Sequence, residues 1–377
     1  MVGACPYPVP QGSQVFLRDT AQLLESRGHT VHLVVYGYGG GEDTSGLRVH
    51  RARHVPLARR TAAGPSIFKP LLDTFLVLEL RRVVREERID AVWAHNYEAL
   101  LVALAVGHRP IVYMAHNALE DELPHYFRGA RLAARIGRWL DRTLPRRADA
   151  VVAPHARLAE YLTGCGCDRP IVIPPAAASQ YQSPPFKGGL KKPDPEMAQG
   201  APFVLYAGNL DAYQNLPLLY AAIWRVRQTL PNTRLVIATA DRATIPDAEV
   251  IHTPDFPSLQ RLLAQDCVLA VPRTSWSGYP IKLLNGMAAG RPTVACAGAA
   301  HPLTHEGNAL IVPDGDEEAF AEALLRLLGD APLRGRLGEA ARMAAAQNHA
   351  RELIADQLEE VLLRVGCMRD ACATIGP

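Results

Sequence analysis

No apolar run in this 377-residue chain reaches the ~18 residues that cross a bilayer. No basic segment followed by an apolar one opens it, so neither export nor membrane insertion is expected. Met1 itself begins the first strand-like run, MVGAC, with no lead-in, as a start codon assigned slightly late would leave it. Excess charge of one sign is also missing: 40 Lys and Arg against 38 Asp and Glu leave a formal net charge of +2, which gives no global case for nucleic acid as a partner. The seven cysteines are an odd number and include no pair at metal-ligand spacing. The nearest groupings, Cys165 with Cys167 and Cys367 with Cys372, read as reduced thiols of a cytosolic protein. G-x-G-x-x-G is absent from the first βα turn, and the glycines of YGYGGGED (36–43) follow the second strand instead. That makes a dinucleotide oxidoreductase the weakest enzyme reading.

What is present is an ordinary globular composition, 48% hydrophobic and 21% charged, at a length that predicts two domains at ~100–200 residues each. Two series of alternating strands and helices predict α/β layers on parallel sheets. Strands are expected at 1–5, 30–36, 47–51, 91–94, 110–115, 150–154 and 171–173 in the first half. In the second they are expected at 203–207, 234–240, 250–252, 267–271, 293–297 and 309–312. Helices fall between them, notably Ser13–Ser26 and Phe68–Glu87. Residues 174–202, rich in Pro, Gly, Ala and Lys and without periodicity, read as a linker with a mobile insertion at 180–200. The expected organisation is therefore a Rossmann-like domain at 1–175, a linker at 176–202, a second Rossmann-like domain at 203–348 and a C-terminal helix at 349–377 crossing back to the first. Two such open sheets leave a central cleft at the carboxyl ends of their strands, where ligands bind.

The segments facing that cleft carry the chemistry. CPYPVPQGSQVF holds an extended loop, with Gly12 permitting close backbone approach and Ser13 expected to cap the following helix. AVWAHNYEAL places His95 and Asn96, and MAHNALEDELPH places His116, Glu120 and Asp121, just after predicted strands. These groups either converge on one ligand or cap neighbouring helices. No His-x-x-x-His or cysteine cluster completes a metal site. YAGNLDAYQN sets Gly208, Asn209 and Gln214 in a strand-to-helix loop. CVLAVPRTSWSGYPIKLLNGMAAGRPTV contributes Arg273, Ser275, Ser277 and Asn285, and raises a question of sign at Lys282. That lysine follows Pro280, the expected first helical residue, where the helix macrodipole is already positive. Either it snorkels into solvent, or it joins the free amides of Gly278, Tyr279 and the first turn around a phosphate.

The order of these segments resembles the GT-B glycosyltransferases, most of all the large retaining family 4, and the likeness covers nearly the whole chain. It is carried by PYPVPQGSQVFLRDTAQLLESRGHTVHLV, the His116 loop, YAGNL, GYPIKLLNGMAAGRPTV and EGNALIVPDGDEEAFAEAL. The resemblance implies a nucleoside-diphosphate-sugar donor held by the second domain and an acceptor held by the first, with transfer by retention and no required metal or other cofactor. It places Gly12 and Ser13 near the donor diphosphate and His116 beside the transferred sugar. Gly208, Asn209, Arg273, Ser277, Gly278, Tyr279, Pro280, Ile281 and Lys282 would hold the diphosphate or sugar, and Asn285 would lie near the ribose. His95, Asn96, Glu120 and Asp121 would lie on the acceptor side.

Departures from the family pattern are concentrated in one place. The usual paired glutamates are replaced by Ser277 and Asn285, and the usual basic pair after the second domain's first strand by Asn209 and Gln214. Anionic and cationic positions are thus neutralised together, while Lys282 and Arg273 stand nearby. An active enzyme is expected, with a lysine and helix-end amides stabilising the departing diphosphate. A non-catalytic partner subunit that binds a nucleotide or glycan is the alternative, and a nucleotide-sugar 2-epimerase would need further acid and base carboxylates.

From Arg128 to Arg147 seven arginines meet one acid, Asp141, while Leu132, Ile136, Trp139, Leu140 and Leu144 recur at helical spacing. Such a helix either rests on an anionic membrane surface, giving a cytoplasmic protein peripheral to the membrane, or turns its apolar stripe into the core. The acceptor classes expected are a glycan, a lipid-linked acceptor or a small molecule.

Overall fold

The computed structural model describes the chain apart from residues 10–11, 40–45, 56–67, 128, 179–200, 254 and 375–377, and apart from the side chains of 367–374. The expected insertion at 180–200 and Arg128 therefore lie outside the described residues. Two compact units are present: Met1–Pro175 with Ser277–Tyr279 and Glu352–Pro377, and Ala176–Trp276 with Pro280–Arg351.

The first unit is built on β1 (Val2–Gly3), β2 (His32–Val35), β3 (Arg48–Arg51), β4 (Val92–His95), β5 (Ile111–Met114), β6 (Ala150–Ala153) and β7 (Ile171–Val172). Its helices are α1 (Gly12–Ser26), α2 (Lys69–Glu86), α3 (Tyr97–Val106), α4 (Leu119–Glu122), α5 (Ala130–Thr143) and α6 (Ala156–Gly164). All strand pairs are parallel, in the order β3-β2-β1-β4-β5-β6-β7. Strands such as HLVV, VWAH and IVYM are buried at every position, as a sheet covered by helices on both faces requires.

The second unit carries β8 (Phe203–Ala207), β9 (Leu235–Thr239), β10 (Glu249–His252), β11 (Cys267–Val271), β12 (Thr293–Cys296) and β13 (Leu310–Val312). With them come α7 (Leu216–Thr229), α8 (Phe256–Leu263), α9 (Ile281–Ala288), α10 (Glu317–Gly329) and α11 (Ala331–Asn348). Its parallel sheet runs β10-β9-β8-β11-β12-β13. Asp255, Asp316 and Asp330 start α8, α10 and α11 by accepting the amide three residues on. The last helix, α12 (Arg351–Thr374), packs with the first unit, where Arg27 donates to the Glu352 carbonyl and pairs with Asp356 at 2.5 Å.

Both sheets reverse strand order once, between β1 and β4 and between β8 and β11. Those switch points are where an open parallel sheet binds ligands. Three local expectations are corrected. α1 begins at Gly12, so Ser13 lies inside the first turn, its hydroxyl donating to Gln14 Oε1 at 2.8 Å, and is not the cap. Pro280 is the N-cap of α9 rather than its first residue, which makes Ile281 N1 and Lys282 N2.

The third concerns α5, for which two orientations were open, and the alternative with its apolar stripe in the core is not found: the inward face is Ala133, Gly137 and Asp141, while Leu132 is 64% and Trp139 62% exposed, and Ile136 is exposed too. Gly137 explains the choice, because a Cβ there would come within 2.4 Å of the Leu119 carbonyl oxygen. Only a residue without a side chain lets α5 approach the backbone of α4 so closely. Leu144, at the end of the stripe, is the member that is buried.

Candidate functional site

In the second unit the loop after β8 and the start of α9 meet. Gly286 brings α9 onto β11, since a Cβ at that position would overlap the Leu269 side chain. One turn earlier, Lys282 reaches towards β8 rather than snorkelling into solvent. Its Nζ donates to Gln214 Oε1 at 2.5 Å and to the Tyr206 hydroxyl at 3.1 Å, and lies 4.2 Å from the centre of the Tyr206 ring. Gln214 Nε2 donates to Asn209 Oδ1 at 2.7 Å, while Asn209 Nδ2 donates to Asp211 and to the Tyr213 hydroxyl. Gly208 has a φ of +149°, which favours glycine, and a Cβ on it would crowd Lys282 Nζ at 3.0 Å.

Burial, reinforced by the nearby Arg273 guanidinium, holds the Lys282 ammonium well below its ordinary pKa. No carboxylate hydrogen-bonds it among the contacts just described. Arg273 lies 5.1 Å over the Tyr213 ring and donates to Ser275 at 3.0 Å. Lys282, Arg273, Gly208, Asn209 and Gln214 are thus brought together at the carboxyl edge of the second sheet. Partly exposed Asn285 lies three residues beyond Lys282 along α9.

The first unit's site residues gather at the carboxyl edges of β4 and β5. His95 Nδ1 and His116 Nε2 are 3.0 Å apart, and Phe16 of α1 contacts both rings. Burial pulls His116 down to about 4, and burial together with the His116 neighbour holds His95 well below the ordinary imidazole value, so both are neutral at pH 7. Asn96, at φ +74°, caps α3 by accepting the Ala99 amide.

Glu120 takes two hydrogen bonds from Arg138, at 2.6 and 2.9 Å, and one from the Tyr161 hydroxyl. Burial disfavours its charge, but these bonds outweigh that and hold it below the usual carboxylate range. Asp121 Oδ2 accepts the Ser277 amide at 3.1 Å and its hydroxyl at 2.7 Å. A carboxylate therefore does stand at position 277, contributed by a residue distant in sequence. His155 caps α6 and its Nε2 lies 3.0 Å from the Ser277 carbonyl, with Tyr279 beside its ring.

Sequence reasoning missed several of these groups. Asp141, 0% exposed, accepts the Leu119 and Glu120 amides and the Tyr97 hydroxyl and shares the single Tyr161 hydroxyl proton with Glu120, so it shapes the segment that carries Glu120 and Asp121. Its isolation among seven arginines was the available signal. Tyr206 and Tyr213 were not marked out by any spacing. Among the described residues, His32, His50 and Glu87 form the group of possible metal ligands. His32 opens β2, so this group lies at the amino edge of the sheet, away from His95 and His116.

Two parallel sheets of Rossmann type, each with polar residues at its carboxyl edge, define a two-domain α/β protein of the GT-B class. A family profile described as Glycosyltransferase Family 4 matches residues 10–181, and one described as Glycosyl transferases group 1 matches 201–330. The chain belongs to the GT-B glycosyltransferases, and its first half is a family 4 domain.

Solved structures agree on the fold. Sucrose-phosphate synthase from Thermosynechococcus elongatus superposes with a TM-score of 0.81 at 16% identity, covering 97% of this chain and 98% of that one. HepE of Anabaena, solved with UDP-glucose, gives 0.73 at 18%, covering 96% and 98%. WaaG, a glycosyltransferase involved in lipopolysaccharide biosynthesis, gives 0.69 at 17%, covering 95% and 98%. Among curated proteins, the exopolysaccharide phosphotransferase SCO2592 of Streptomyces coelicolor is 34% identical over 110 residues, 28% of this chain. The match spans 12% of that relative's length.

Proposed function

We propose that this chain moves a sugar from a uridine-diphosphate-sugar type of donor to an acceptor hydroxyl, with retention at the anomeric carbon and without a required metal. The observation that carries this reading is the delivery of Lys282 Nζ to the loop of Gly208, Asn209 and Gln214. There it brings an amino group, which a bound anion would hold charged, to the neutral side chains of Asn209 and Gln214. The departing diphosphate needs charge stabilisation where its negative charge grows, and a lysine with helix-end amides in a dry site supplies several kcal/mol. The relatives solved with UDP and UDP-glucose support the choice of base, and those named for lipopolysaccharide and exopolysaccharide support a cell-surface glycan as product.

In the proposed reaction the acceptor oxygen bonds to the anomeric carbon on the face the diphosphate leaves. The anomeric carbon's bond to the phosphate oxygen breaks, and the acceptor proton passes to that oxygen. His116 hydrogen-bonds the sugar. Glu120 is tied to Arg138 and Tyr161, which weighs against it as a general base.

The test begins with thermal shifts on UDP, GDP, ADP, dTDP and their sugars, followed by donor hydrolysis and NMR of the product anomer. Lys282→Ala weakens UDP by about tenfold or more, an interaction on the order of 1.4 kcal/mol, while uridine is little affected. Equal loss for both removes the lysine from the diphosphate site. Binding with neither hydrolysis nor transfer favours the partner-subunit alternative.

A second reading concerns where the acceptor is met. The outward face of α5 presents Leu132, Ile136 and Trp139, with exposed Phe127 just before it and exposed Arg131, Arg135 and Arg142 around them. This pattern fits an anionic lipid surface bearing a lipid-linked acceptor. Among the described residues no helix is long and apolar enough to cross a membrane, so attachment would be peripheral. Salt-sensitive sedimentation with anionic vesicles, lost on Trp139→Ala with Ile136→Ala, is expected. Sedimentation equal with zwitterionic vesicles rejects the reading.

A further inference from the structure

We propose that His95 is a positioning residue that locks His116 in the tautomer carrying its proton on Nδ1, so that His116 meets the sugar with an N–H donor rather than a lone pair. The kinetic half of this statement rests on the role proposed above for His116. The tautomer itself does not.

The pair follows from the sheet. His95 ends β4 and lies opposite Met114, the last residue of β5, so His116, two residues on, comes to the same side. Two neutral imidazoles 3.0 Å apart through Nδ1 of His95 and Nε2 of His116 share a single proton, and one of them must donate. His95 decides which. It is 1% exposed, with Phe16 set edge-on to its ring at 5.9 Å and 81°, and its Nε2 has no hydrogen-bond partner among the described residues.

A proton on that nitrogen would be a buried N–H with no acceptor, whereas a bare lone pair there is the cheaper defect. The proton of His95 therefore resides on Nδ1 and is donated to His116 Nε2. An accepting Nε2 is bare, and a neutral His116 must then carry its own proton on Nδ1. Charging His116 would set N–H against N–H across the pair, so the contact also resists protonation. His116 is only partly buried, so its Nδ1 is the ring nitrogen left for a ligand.

The experiment is a long-range 1H–15N correlation on full-length, ligand-free protein labelled with [15N]histidine, at neutral pH. The expected spectrum shows His116 with a protonated Nδ1 and a bare Nε2. His95→Phe keeps the packing against Phe16 but removes the donor, and the His116 resonances move towards the opposite tautomer. His95→Asn, whose amide nitrogen sits where Nδ1 was, restores them. In transfer assays His95→Phe lowers kcat by about tenfold or more with donor KM little changed, and His95→Asn recovers most of it.

A bare Nδ1 on His116 in the wild-type protein overturns the proposal, and so do unchanged His116 shifts in His95→Phe. Should that variant fail to fold, the wild-type spectrum decides alone. The expected spectrum with kcat unmoved in His95→Phe overturns the positioning role while the tautomer stands. Absence of any transferase activity in the wild type sinks the proposed function and leaves the spectrum as a separate result.

Discussion

Lys282 Nζ lies 2.5 Å from Gln214 Oε1, and Gln214 Nε2 lies 2.7 Å from Asn209 Oδ1. The cation of α9 is thereby coupled through two neutral side chains to the loop after β8. Its held position costs charge: burial and Arg273 press it towards the neutral amine. A diphosphate would reverse that pressure.

UDP binding is therefore expected to take up a proton in the pH window between the depressed Lys282 value and the ordinary lysine value, read above the titration of UDP itself. Affinity falls as pH rises through this window, because the proton required for binding becomes scarcer. Calorimetry in two buffers of different ionisation enthalpy measures the uptake. Lys282→Met should abolish it, and identical heats in both buffers for the wild type would count against a lysine–diphosphate pair.

The neutral state of His116 has a stability signature. The unfolded chain binds a proton on this histidine below about 6.5, while the native state resists until about 4. More protons are bound unfolded across that interval, so native stability rises with pH through it and levels off above. His116→Gln removes this contribution. Urea titrations at a series of pH values should show the wild type gaining on the variant between those limits. A constant difference from pH 4 to 7 would mean His116 is not held neutral.

Asp141 holds two backbone amides and the Tyr97 hydroxyl, and shares the Tyr161 hydroxyl with Glu120, without any contact with solvent. Asp141→Ala leaves buried donors unpaired and is expected to cost about 3 kcal/mol or more. Since Glu120 and Asp121 sit on the segment it supports, amide hydrogen exchange at residues 119–122 should rise as well. Native-like protection there would limit Asp141 to a packing role.

The two faces of α5 should respond oppositely to mutation. Gly137→Ala pushes a Cβ into the α4 backbone and is expected to cost roughly 1–3 kcal/mol. Leu132→Ala, on the outward face, should change stability by no more than about 0.5 kcal/mol. Denaturation midpoints of the two variants compare them directly, and a large loss for Leu132→Ala would mean that this face is covered in solution.

The organisation of the chain was legible because its signals are local. Buried runs such as FVLYA, LVIAT and CVLAV mark strands covered on both faces, and amphipathic helices alternate with them, so all thirteen expected strands are found where the pattern places them. Parallel alternation in turn sends His95, His116, Gly208 and Arg273 to carboxyl edges, whatever their identity. The replacement of both usual glutamates and of the basic pair was readable in the same way.

Periodicity carried no information on partners remote in sequence. That Lys282 turns inward depended on Gln214, 68 residues earlier, and Tyr206, 76 residues earlier, arriving at the same edge. That position 277 regains a carboxylate depended on Asp121, 156 residues away. The helical spacing of Leu132, Ile136 and Trp139 described a stripe but not which side of α5 is covered. A glycine against the α4 backbone decided that, because close approach selects the face with the least side chain. Local patterning set the elements, their order and the residues offered at the strand ends. Which of those residues meet was left to packing, since hydrogen bonds and steric fit act over a few ångströms between chain segments that are remote until the chain folds.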